Sequence, residues 1–203
     1  MARNPRPAIQ GELDGLCGVY SVVNAIQWAL HTCNTAARAR GRGLRPLSDL
    51  ERLAFFDMLV TALSTRGPLA KFVTVGVRPS ELAWLLRISR QWVSDHRNAE
   101  LVSRRPCHRQ RASAKPRIVN LLTEHLAVPG SAVIVGVDAP LDHWTVVTGL
   151  SSKRIHLLDS GFRKYLTFSG ITYRSASRLN GVRLGSIFLL RLSPEAGERA
   201  KRP

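Results

Sequence analysis

The chain has 203 residues, 44% of them hydrophobic, which suits one ordinary domain of about 100–200 residues with a real core and excludes a wholly disordered chain. No apolar run approaches the roughly 20 residues of a membrane helix, and no apolar stretch follows the charged start as in an export signal, so a cytoplasmic protein is expected, with delivery as an effector left open. The formal charge of +16 favours an acidic partner in general, but it does not by itself define a function.

In chain order, residues 1–9 read as a lead-in, 10–193 as one folded unit and 194–203 as a polar tail. Residues 17–31 are continuously apolar and too long for a typical strand, so they predict a buried helix with Cys17 in its first turn. Cys17, Ser21, Asn24 and Trp28 recur every three or four positions and draw a polar stripe on it. The Arg- and Gly-rich stretch Cys33 to Pro46 predicts a loop, and Ser48 caps a helix running to about Leu63. Arg78-Pro79-Ser80-Glu81 opens another helix, whose buried side is Leu82, Trp84, Leu85, Leu86 and Ile88.

From Asp95 to Lys115 periodicity is lost, which predicts an exposed connection or lid, followed by a short helix over Ile118 to Leu126. Beyond Pro129-Gly130 come short β-branched or aromatic runs: Ser131 to Val137, Trp144 to Leu150, Ile155 to Leu158, Tyr165 to Phe168 and Ser186 to Leu192. Helices first and strands afterwards predict an α+β protein in two lobes, with an antiparallel sheet in the second half and no internal repeat.

The three cysteines, 17, 33 and 107, form no CxxC pair, so neither a zinc knuckle nor a disulfide framework is indicated. His31, His96, His108, His125 and His156 have no partner at ligand spacing, and no metal or other cofactor is expected. Arginines cluster at Arg38, Arg40, Arg42, Arg45 and at Arg104, Arg105, Arg109, Arg111, Arg117, but both clusters lie in stretches read as solvated loops. Only 6% of residues are aromatic, thin for stacking bases, so nucleic acid is a less favoured partner than a peptide or protein.

Cys17 carries the chemistry. A thiol at a helix N-terminus is stabilised as thiolate by the helix dipole and unpaired N–H groups. Gly11, Gly15 and Gly18 would let the backbone approach a substrate closely, and the Gln10 side-chain amide with the Cys17 N–H would make an oxyanion hole. A thiolate nucleophile needs a base, and His143, opening a strand, is the best candidate. If the hairpin turn centres on Ser151, His143 faces Asp159 across the strand pair, at the end of an apolar patch of Val147, Ile155 and Leu157. A two-residue turn would make that pair diagonal. Asp142 is a weaker orienting candidate, since adjacent strand residues point to opposite faces.

Gln10, then Cys17-Gly18-Val19-Tyr20 opening a helix, His143-Trp144 opening a strand and Leu158-Asp159 ending its hairpin partner resemble the papain-like cysteine peptidases. Within them the chain is most similar to the bacterial double-glycine leader peptidase domains, which process bacteriocin precursors. The resemblance covers order, spacing and context from about 10 to 168, apart from the Arg-rich middle. It implies a papain-like two-lobe fold, with Cys17 as nucleophile, His143 as general base and acid, Asp159 as orienting residue and Gln10 as oxyanion donor. Family members usually place the glutamine six positions before the cysteine; here the separation is seven. The expected activity is hydrolysis of a peptide or amide bond through a thioester. Deamidation or transamidation on the same scaffold, and a non-catalytic basic module docking an acidic partner, are the alternatives.

Overall fold

The computed structural model describes residues 4–10, 15–38, 44–106, 115–137, 142–168 and 182–194. Helices dominate the first half and an antiparallel sheet the second, a mixed α+β fold. The helices are α1 (Cys17–Arg38), α2 (Asp49–Ser64), α3 (Leu69–Val75), α4 (Pro79–Arg97) and α5 (Lys115–Leu126). The strands are β1 (Ala99–Arg104), β2 (Ser131–Val137), β3 (His143–Leu150), β4 (Arg154–Leu158), β5 (Tyr165–Thr167) and β6 (Val182–Pro194), in the sheet order β1-β6-β2-β3-β4-β5. Among the described residues no helix is long and apolar enough to cross a membrane.

Local chemistry explains the helix starts. Ser48 and Glu51 form a reciprocal capping box on α2, and Pro79 and Glu81 open α4 as their types predict. Helix α1 is the centre of the molecule. Val19, Val22, Val23, Ala25, Ile26, Ala29 and Leu30 are all fully buried, because α2 and α4 pack on one side of it and β2, β3 and β6 on the other. A helix apolar nearly all round has to be wrapped in this way. The opposite face of the sheet holds a second core, in which Ile118 and Leu122 of α5 pack on Val133, Val135, Val147, Ile187 and Leu189.

Three expectations are corrected. Helix α1 continues through Cys33 to Arg38, because Cys33 extends the buried face of Ala29 and Leu30 into the next turn, and Thr32 and Thr35 turn their hydroxyls back onto the helix's own carbonyls (3.1 Å to Ala29 O; 2.8 Å to His31 O). The stretch after Asp95 is not an unstructured connection throughout, since α4 runs to Arg97 and Ala99–Arg104 is an edge strand on β6. Its alternation of buried Ala99 and Leu101 with exposed Glu100 and Val102 is the period of a half-buried strand.

The third correction concerns the β3–β4 register. Val147 pairs with Leu157 and Val146 with Leu158, whereas Leu150 pairs with Ile155. The turn is closed by the Ser151 N–H donating to Arg154 O at 2.9 Å, so it is centred between Ser152 and Lys153, and an irregularity between Val147 and Gly149 absorbs one residue. Continued one step, this register sets Asp159 across from Thr145 and diagonal to His143. Gly11, the remainder of 11–14, Arg40, Arg42, the segment 107–114 with Cys107, His108, Arg109 and Arg111, and the tail 195–203 lie outside the described residues.

Candidate active site

Cys17 is the first residue of α1, following a turn in which Leu16 O accepts the N–H groups of Val19 (2.8 Å) and Tyr20 (3.1 Å). Its own N–H belongs to the first turn, where helix donors have no partner within the helix. The start of the helix is held by close packing. The Gly15 N–H donates to Val73 O at 2.6 Å, and a Cβ on Gly15 or Gly18 would come within 2.5 Å of Val73 O or 2.7 Å of the Val77 side chain. These two glycines therefore admit the chain around α3, not an open approach for substrate.

His143 comes from the first position of β3. Its Nε2 lies 2.7 Å from Asp159 Oδ1, and the ring interacts with the neighbouring Cys17 thiol, whose Sγ lies 3.8 Å from Gly15 O. Burial disfavours the charged ring, but the Asp159 and Cys17 interactions outweigh it and push His143 up to about 9. Asp159 is almost wholly buried. Burial would raise its carboxyl, yet the His143 hydrogen bond and charge, with the nearby Thr145 hydroxyl and the Arg163 N–H, hold it below the usual carboxylate range. Its second oxygen accepts the N–H groups of Gly161 (3.2 Å) and Arg163 (3.1 Å), which fixes the carboxylate toward the imidazole. Three of the four candidate residues thus form one chain of contacts, Cys17 to His143 to Asp159.

A cleft of about 260 Å³ opens on Cys17 and His143. Gly76, Val77 and Arg78 also line it; the sequence marked Arg78 only as a helix start, and Trp144 ties this segment to β3 by donating its Nε1–H to Val77 O at 2.7 Å. Asp142, beside His143, also lines the cleft, and no ion pair joins the two.

Gln10 is anchored beside Asp159 and is not among the cleft-lining residues. Its N–H donates to Ser160 O at 3.1 Å, and its Oε1 accepts from Ser160 Oγ at 3.2 Å. Two residues earlier, Ala8 exchanges both backbone bonds with the Asn24 side chain, at 2.7 and 3.3 Å. Asn24 and Ser160 therefore tie the lead-in alongside the first turns of α1; Asn24 stood in the polar stripe, but no pattern revealed its partner.

Other described candidates sit in structural settings. Cys33 is buried in α1, and burial pushes its thiol up. His96 stacks on Trp92, His125 sits 2.8 Å from Leu190 O, and no group of three His, Cys, Asp or Glu suited to a metal occurs among the described residues. Comparison with protein-family models, curated proteins and solved structures finds no match to this chain.

Proposed function

We propose that this chain is a papain-like cysteine hydrolase that cleaves a peptide or amide bond. The observation that carries the reading is the contact chain Cys17, His143, Asp159 at the mouth of a cleft, with the thiol on the first turn of a buried helix. An imidazole tied to a buried carboxylate holds a proton readily, and so stabilises a thiolate beside it.

In the proposed reaction the Cys17 sulfur attacks the substrate carbonyl carbon, and the resulting oxyanion is held by the Cys17 N–H. His143 then gives its proton to the leaving nitrogen as the C–N bond breaks, leaving a thioester. A water that passes its proton to His143 cleaves the thioester, releasing a carboxylic acid and restoring the pair. Asp159 keeps the ring oriented and balances its charge throughout.

Alkylation by iodoacetamide across pH 4–9, read at each cysteine by mass spectrometry, tests the pair. Cys17 is expected to react at mildly acidic pH, ahead of Cys33, and to lose this acid-side reactivity in His143→Ala. Cys17 reacting no faster than Cys33, or equally with and without His143, would overturn the reading.

A further inference from the structure

The sheet face opposite Cys17 carries a groove of its own. Its floor follows from the register: Val102, Arg191 and Ser131 stand in one row across β1, β6 and β2, and Arg104, Leu189 and Val133 stand in the next. Residues so paired share a face, so both arginines project to the side on which α5 packs. Helix α5 covers β2 and β3, and a groove of about 480 Å³ lies between it and β1.

The groove combines unspent positive charge with apolar walls. Among the described residues neither Arg104 nor Arg191 makes an ion pair, and the carboxylate that lines the groove is Glu124, exposed on α5. The Ser131 hydroxyl, only 2% of whose residue is exposed, has no hydrogen-bond partner among the described residues, an unfavourable state for a buried donor. Burial, and with it the charges of Arg104 and Arg191, hold His125 below its usual value, so the field of both arginines converges on this side of α5. Leu121, Val128 and Leu189 supply the apolar part.

We propose that this groove binds a small organic acid with a hydrocarbon body, its carboxylate between Arg104 and Arg191 next to Ser131, and its chain along Leu121 and Leu189. Guanidinium groups suit a carboxylate, and an inorganic anion would leave the apolar wall wet. This site is independent of Cys17 and stands whether or not the chain is a hydrolase.

Titration calorimetry of the full chain with octanoate, octan-1-ol and acetate tests it. Octanoate is expected to bind once per chain, with the alcohol and acetate each at least about tenfold weaker, and Arg191→Gln to weaken octanoate about tenfold with an unchanged melting temperature. Arg104→Gln, on the exposed edge strand, is the second variant should Arg191→Gln melt early, and it is expected to weaken octanoate as well. No octanoate binding at low-millimolar concentration, acetate binding as tightly as octanoate, or octanoate affinity unaltered in both variants would overturn the proposal.

Discussion

Asp159 and His143 each shift in the direction that favours their charged forms, and the two shifts set a pH window. The Asp159 carboxyl is held below its ordinary 3.8, so its contribution to stability is present above that value and is lost as pH falls through the lowered one. His143 is raised from 6.5 to about 9, so its contribution is complete below 6.5 and is lost as pH rises through about 9. The stability lost in Asp159→Asn should therefore be greatest between about pH 4 and 6.5 and shrink on both sides. Urea unfolding of both proteins at a series of pH values checks this; a pH-independent difference would mean that the pair contributes shape alone. The residues of this pair were legible in the sequence, because a histidine opening a strand and an aspartate ending its neighbour are local signals. Facing and diagonal geometries both stood open in the sequence, and the choice between them was not legible, since it depends on the irregularity after Val147 and on where the turn is centred.

At the scale of elements, Trp144 couples β3 to the loop before α4. Its hydrogen bond to Val77 O is buried, and Val77 in turn packs on Gly18 of α1. Trp144→Phe keeps most of the apolar contact but leaves the carbonyl unpaired, a cost of about 1–3 kcal/mol. We expect that loss in urea unfolding, together with slower alkylation of Cys17, because the cleft wall and the His143 strand are no longer tied. Unaltered alkylation would show that the wall does not position the site. Elements with their own punctuation were readable in advance. At the capping box of α2 the Ser48 N–H, helped by Arg97, holds Glu51 at about 2, and this residue pattern advertises a helix start within four positions. Strand β1 was not readable in that way, because its partner β6 lies some ninety residues further on and its own six residues are half polar.

The whole molecule carries 30 basic against 14 acidic side chains. Among the described residues the ion pairs draw on Asp49, Glu51, Glu81 and Asp159, so most of the described arginines have no carboxylate partner. Such an excess repels itself, and added salt screens that repulsion over a Debye length of about 10 Å at 0.1 M. The melting temperature at pH 7 should accordingly rise with sodium chloride; a fall would mean that the few ion pairs outweigh the net repulsion. The sequence pointed to charge spread over the surface, but it did not disclose that two arginines from different strands, Arg104 and Arg191, project to one face, because only the sheet order brings β1 next to β6.

The candidate site joins residue 17 to residues 143 and 159, and that separation is also a delay. A ribosome adds about 5–20 residues per second, so the Cys17 thiol is synthesised roughly 7–30 s before the Asp159 carboxylate. Until then Cys17 belongs to a nascent chain without Asp159, and for most of that time without His143 as well, and an isolated thiol is a poor nucleophile for amides. Synthesis through residue 159 thus acts as a timer on the proposed chemistry, which needs the last part of the site.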